Sequence, residues 1–397
     1  MKRMMWSGLA LLAAIVLVAP GAAGWLPTAS AQARPAAGNQ TPQFQIGPAW
    51  PTLPSKWVLG PVTSLAVDSQ DHVWILHRPR AIEPEQKERA APAVLEFDAS
   101  GKFIQAWGGP GAGYEWPAVE HGIFVDHKGN VWIAGNQKED NQILKFSRNG
   151  KFLMQIGRAG QSKGNADTQN VHAPANVFVY AKTNEAFVAD GYQNRRVIVF
   201  DADTGAYKRM WGAFGNVPVD GPPTRLADGG RGPEQFNVIH TARVSNDGLV
   251  YVTDRNNRRV QVFTVDGKYV TQVFINRVKA PPSTLTGMRF GRPARELADE
   301  LANAGTASGT AFSPDPEQRF LYVMDRSTET IHILDRKRLE KKGEFGGGIG
   351  SAPGQFYILH DIAVDSKGNV YTAEVNEIGN KRAQKFLFKG MGTAGTQ

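Results

Sequence analysis

The sequence predicts an all-β chain in which six four-stranded units close into a ring, a six-bladed β-propeller. Three observations carry that prediction. Apolar residues alternate over short runs separated by turns of the D-x-x-G-N kind, which is the signature of hairpins. Glycine (43) and proline (24) are frequent in the 397 residues, which favours repeated chain reversal over long helices. Above all, one strand–turn–strand unit recurs six times. Its clear copies are HGIFVDHKGNVWIAG from His121, HTARVSNDGLVYVTD from His240 and HDIAVDSKGNVYTAE from His360. Weaker copies begin at Thr63, Asn176 and Ser308, and the six starts are 58, 55, 64, 68 and 52 residues apart. Each copy is followed by a third strand such as RRVIVFD or TIHILD, and most by a fourth such as KFLMQIG. Ring closure hides the sheet edges that such strands would otherwise expose.

The elements follow in order. Lys2 and Arg3 precede an apolar run from Gly8 to Ala19, then small residues with Ala29-Ser30-Ala31 or Ala31-Gln32-Ala33 as a cleavage site. That pattern predicts a signal peptide over 1–31, hence a secreted or periplasmic protein with no membrane attachment after cleavage. A membrane span needs about 20 apolar residues, and Pro20, Gly21 and Gly24 interrupt this run. Residues 32–42 read as a disordered lead-in, 43–390 as the propeller and 391–397 as a flexible tail. The last unit has only three strands (361–365, 369–374 and 383–388), so its fourth is expected from the segment around Phe44–Trp50. Long Gly/Pro-rich connectors (108–120, 157–172, 213–236, 275–305 and 346–357) gather on one face, where binding sites usually lie. Within one of them, ARELADELAN (294–303) predicts a short lid helix.

Composition excludes several chemistries. There is no cysteine, which removes disulfides, thiolate-bound zinc and thiol nucleophiles together. The net charge of +8 is spread along the chain and accompanies no nucleic-acid motif, so no nucleic-acid partner is expected. The expected partner is a small molecule or peptide, bound by a monomer.

Three of the eight histidines, His121, His240 and His360, share one register position in alternate blades, spaced 119 and 120 residues apart. The first strand of a blade lines the channel, so these imidazoles form a three-fold ring at one height. Three nitrogen ligands with room for water suit zinc or another borderline divalent metal. His72 and His127 lie at turns and His332 in mid-strand, which suggests surface or packing roles. His172 precedes the third blade.

DGYQNRRVIVF (190–200), DRNNRRVQVF (254–263), GNVWIA (129–134) and GNVYTA (368–373) resemble the NHL repeat. The combination LAVD…ILHR (65–78), EHGIFVD (120–126), VADGYQNRRV (188–197), NVIHTARV…VTDRNN (237–257) and YILHDIAV (357–364) is similar to the peptidyl-α-hydroxyglycine α-amidating lyases. Those enzymes are zinc-dependent C–N lyases that split a peptidyl hydroxyglycine into a peptide amide and glyoxylate. The resemblance implies zinc on His121, His240 and His360. It implies structural calcium on the carbonyls of Leu65 and Ile123 and the carboxylate of Asp361. Tyr192 falls on the catalytic tyrosine, and Arg78 and Arg255 fall on the two active-site arginines. Gln193 replaces a cysteine that the animal enzymes pair, and Ile358 replaces a methionine of the pocket wall.

These residue types match the chemistry. A metal lowers the pKa of a bound hydroxyl, a tyrosine serves as base once its ordinary value near 10 is lowered, and an arginine fork holds a carboxylate at two points. Two other classes compete. One is a non-catalytic propeller scaffold for a protein or glycan. The other is a calcium-dependent lactonase, disfavoured because the register reads Thr63, His121, Asn176, His240, Ser308 and His360 where a lactonase needs carboxylates and amides.

Overall fold

A computed structural model describes residues 40–222, 229–278, 284–375 and 382–393; the expected signal peptide lies outside them. Six antiparallel four-stranded sheets follow one another along the chain, each with its strands in sequence order except the last. Their innermost strands are Val62–Val67, Glu120–Val125, Asn176–Tyr180, Ile239–Val244, Ala307–Phe312 and Leu359–Val364. The arrangement is the six-bladed propeller that the repeat predicts.

The turn between first and second strands explains the recurring D-x-x-G-N. Asp126 Oδ1 accepts the Lys128 and Asn130 N–H groups at 2.9 Å, and Oδ2 accepts Trp132 Nε1 at 2.9 Å. Gly129 sits at φ +77°, where a side chain would be strained. Asp365 repeats the device with the Lys367 and Asn369 N–H groups. The Asp190, Asn194 and Arg196 side chains of DGYQNRR end the second strand of the third blade in the same economical way. Asp190 Oδ2 accepts from Asn194 and from Arg196 Nε, both at 2.8 Å, and Arg196 then donates to the carbonyls of Asn165, Asp167 and Asn170. One fully buried ion pair thus ties an inter-blade loop to its blade, with every guanidinium nitrogen satisfied.

Blades hold together through apolar clusters that straddle neighbours, such as Trp132, Ile143 and Val177 with Val188 and Phe200. This burial is the main stabilising term. The ring closes where expected but with shifted bounds. The clasp is Gln40–Ile46, paired antiparallel with Ala383–Thr393. Gln40 to Pro42 therefore belong to the sheet rather than to a disordered lead-in, and Met391 to Thr393 to the last strand rather than to a tail. Phe44 anchors the clasp against Phe345 at 4.3 Å between ring centroids.

Candidate metal centre and the ring above it

The channel residues are set by bulges at the start of the innermost strands. Pairing with the second strand skips Thr63, His121, Ser308 and His360 singly, and His240 together with Thr241. In the third blade Asn176 pairs with Ala189 as Gly122 pairs with Ala134, so the equivalent residue there is Ala175. Asn176, placed in this register by the sequence, is one position too late because six residues separate the paired Val179 and Ala186 where five separate Val125 and Val131.

His121, His240 and His360 converge. Their ring centroids are 4.6, 4.8 and 5.0 Å apart, and one nitrogen from each lies within 4.8 Å of the others. All three are buried. His121 Nδ1 donates to the Ala175 carbonyl at 2.7 Å and His360 Nδ1 to the Thr63 carbonyl at 2.5 Å. A carbonyl only accepts, so Nδ1 carries the proton and Nε2 keeps its lone pair, as in metal-bound histidines. Each acceptor is the channel residue of the next blade. Ser308 stands in that place for His240, yet neither buried nitrogen of His240 makes a hydrogen bond. Burial, with the nearby Arg78 guanidinium, holds His121 down to about 3. Burial and neighbouring imidazoles hold His240 and His360 well below 6.5. Three neutral imidazoles facing one another, one wholly unpartnered, form a possible three-histidine metal site.

A second ring lies around the same end of the channel. Arg78, Asn136, Tyr192, Arg255, Arg326 and Val375 donate their backbone N–H groups to the carbonyls of Pro61, Val119, Ala173, Val238, Thr306 and Ile358. Each acceptor lies two residues before a channel residue, so the six donors occupy one structural position in six blades. Val238 and Ile358 are β-branched yet sit at φ +60°, backbone strain directly beside His240 and His360. The second ring gathers all three catalytic candidates. Tyr192 Oη is 2.9 Å from His121 Nε2 and 3.3 Å from Arg255 Nη1. Arg78 donates from Nε to the Glu120 carbonyl at 3.0 Å and from Nη2 to Asn136 at 3.4 Å. Arg326 was absent from the sequence reading, although VMDRST repeats the VTDRNN that placed Arg255. The expected helix is present as Ala294–Asn303, and its Leu297 and Leu301 pack on Tyr357 and Ile358, beside His360.

The proposed calcium ligands also meet, but as a different object. Asp361 accepts hydrogen bonds from Ser64 Oγ, the Leu65 N–H at 3.3 Å and the Ile362 N–H at 2.8 Å. Arg243 Nη2 lies 3.7 Å from Asp361 Oδ1, its guanidinium between the rings of Phe124 and Phe178 at 5.8 Å from each. The single carboxylate near Leu65 and Ile123 thus already has a buried cation of its own. The donor set does not fit a calcium ion, which would meet like charge within a few ångströms.

The remaining histidines stay outside. His127 is exposed, His172 half-buried, and His332 buried near Asp325 at 3.5 Å. His72 meets Asp68 and Glu96 in a second ligand-like cluster, but Arg148 pairs with both acids there.

The NHL repeat model matches residues 236–263. Peptidylglycine alpha-amidating monooxygenase of Rattus norvegicus is 25% identical over 340 residues, covering 80% of this chain and 30% of the rat protein. The chain thus spans under a third of that relative. A probable peptidyl-alpha-hydroxyglycine alpha-amidating lyase of Caenorhabditis elegans is 28% identical over 299 residues, 71% of this chain and 78% of the worm protein. NHL repeat-containing protein 3 of Mus musculus is 25% identical over 356 residues, 88% and 85% of the two chains. The fold defines the class, a six-bladed β-propeller in which the NHL repeat model matches one segment. Within it, the chain resembles the peptidyl-α-hydroxyglycine α-amidating lyases.

Proposed function

We propose that this chain is an exported, metal-dependent C–N lyase that splits an N-acyl α-hydroxyglycine into the primary amide and glyoxylate. The observation that carries the reading is the stack of two rings: three neutral imidazoles, one without any partner, beneath a tyrosine hydroxyl and arginine side chains. His121, His240 and His360 would hold zinc or another borderline divalent ion through Nε2. Such an ion, when bound, supplies Lewis acidity that eases loss of the substrate hydroxyl proton. Tyr192, as the tyrosinate, would receive that proton; its oxygen lies 2.9 Å from His121 Nε2 and 3.3 Å from Arg255 Nη1. The electron pair left on oxygen forms the aldehyde C=O, the C–N bond breaks, and the departing amide nitrogen takes a proton from Tyr192. Atoms balance without water, so the step is an elimination. The substrate is a small molecule or peptide whose glycine-derived carboxylate faces the arginines.

The worm relative's name and its coverage of most of this chain support the lyase. The test is to load the mature protein with zinc and assay glyoxylate release from N-benzoyl-α-hydroxyglycine. A zinc-loaded protein inert towards it overturns this substrate assignment. The scaffold reading has its own support in the near full-length match to NHL repeat-containing protein 3. A surface cavity of about 820 Å³, lined by Tyr114, Phe152, Gln155 and Arg158 among others, would serve it and shares no residue with either ring.

A further inference from the structure

We propose that Arg326 and Arg255 together form a two-guanidinium clamp for a carboxylate, with Arg326 the specificity-determining member and Arg78 held back by the protein itself. The assignment of the carboxylate to a hydroxyglycine rests on the lyase reading; the clamp does not.

The two arginines are neighbours by construction. They occupy the same ring position in consecutive blades, and Thr306 bridges their backbones: its N–H donates to the Arg255 carbonyl at 3.1 Å and its carbonyl accepts the Arg326 N–H at 3.1 Å. Both ends of the bridge face the centre, because Thr306 lies two residues before the channel residue Ser308. The side chains differ sharply in what they touch. Arg78 is spoken for by the Glu120 carbonyl and Asn136. Arg255 has two long contacts of 3.3 Å, to Asn256 Oδ1 and to Tyr192 Oη. Arg326 makes no side-chain hydrogen bond or ion pair among the described residues, and its Nε is buried with no partner.

Arg326 is half-buried, but its Nε is buried without an acceptor, and such a donor is costly, the more so with a second guanidinium beside it. Burial and the Arg255 charge accordingly hold Arg326 below the usual arginine value. The nearby acid relieves it only in part. Glu329 Oε2 accepts the Leu359 N–H at 2.8 Å, its Oε1 has no partner, and burial pushes its carboxyl up to about 8. Among the described residues nothing supplies the acceptor that Arg326 Nε lacks, and a ligand in the ring would supply it. Two planar donor forks, one of which also touches Tyr192, suit the two oxygens of a carboxylate better than a single point charge. A site built this way should reject an uncharged analogue strongly, since such a ligand leaves both guanidiniums unpaired.

The test uses two inert probes on the zinc-loaded protein, N-benzoylglycine and its uncharged amide, measured by titration calorimetry. Wild type should bind the carboxylate and discriminate against the amide. Arg326→Gln should weaken carboxylate binding at least tenfold, leave amide binding unchanged, and melt at the same temperature or higher, because the lost charge had no partner in the fold. Arg326→Lys should recover part of the affinity. Equal carboxylate affinity in wild type and Arg326→Gln, or a wild type that fails to tell carboxylate from amide, overturns the clamp. Arg326-dependent binding in a protein that releases no glyoxylate from N-benzoyl-α-hydroxyglycine upholds the clamp and defeats the lyase reading instead.

Discussion

The two ends of the channel are built from the same inner strands yet treat their polar atoms in opposite ways. At the Asp361 end everything charged is paired. The carboxylate has a hydroxyl, two N–H groups and Arg243, and the guanidinium lies between two phenyl rings. At the histidine end, buried atoms without partners accumulate: both nitrogens of His240, Ser308 Oγ, Arg326 Nε and Glu329 Oε1. A fold tolerates few such atoms, and each requires an explanation. One end is therefore a closed polar network, and the other presents buried groups that the described residues leave unpaired.

The sharpest way to break that contrast is His240→Ala. Metal content measured by elemental analysis should fall from about one zinc to near none, and turnover should drop by at least about a thousandfold, as expected when the hydroxyl loses its Lewis acid. The metal-free fold should lose only what the vacated ring space costs, since no strong hydrogen bond goes with the ring. A variant that keeps its zinc removes His240 from the centre. Tyr192→Phe should be next in size, about 10²- to 10⁴-fold in kcat with metal retained, the usual range for a lost acid–base group. Unchanged kcat would leave Tyr192 a spacer between His121 and Arg255.

At the opposite end the expected readout moves from turnover to stability. Arg243→Ala strands a buried Asp361 carboxylate whose pKa burial already raises. Denaturant unfolding should show a loss of about 3–5 kcal/mol, the range for breaking a buried pair by removing one partner. Added calcium should restore part of that stability in the variant and none in wild type. Calcium stabilisation of wild type would return the ion to Leu65, Ile123 and Asp361.

The contrast between ends was half legible in the sequence. The blade count and the three-histidine ring follow from repeat register, because a closed ring converts equal spacing in sequence into equal height in space; the helix follows from its own segment, ARELADELAN. The same logic reaches Arg326, whose Asp-Arg pair copies Asp254-Arg255. It was passed over because function was carried over from a family pattern and not from the ring position. The third blade shows the limit of register: whether Ala175 or Asn176 faces the channel depends on where the hairpin pairing begins, and that connection is one residue longer here than in the second blade. The Arg243–Asp361 pair was hidden for another reason. It joins the fourth blade to the sixth across the axis, and no local spacing links residues 118 positions apart.

The smallest expected effect separates a satisfied histidine from the unsatisfied ones. His77, next to Arg78, is buried, with Nδ1 accepting the Gly60 N–H at 3.1 Å and Nε2 donating to the Pro92 carbonyl at 3.0 Å. Burial holds its pKa down to about 4 against 6.5, with the Pro92 carbonyl pulling weakly the other way. Between those values the unfolded chain binds a proton that the fold refuses, so stability is present above about 6.5 and is lost as pH falls through about 4. The depression of some two and a half units corresponds to at most about 3 kcal/mol. His77→Gln can keep both hydrogen bonds and carries no titrating group. Its unfolding free energy should therefore fall less steeply than that of the wild type from pH 6.5 to 4. The comparison is made on zinc-loaded protein above pH 5 and on metal-free protein across the whole range. Because His77 faces no metal, the difference between the two proteins should be the same in both states. A difference that appears only when zinc is bound would mean that His77 acts through the metal centre, and the division between paired and unpaired histidines would fail.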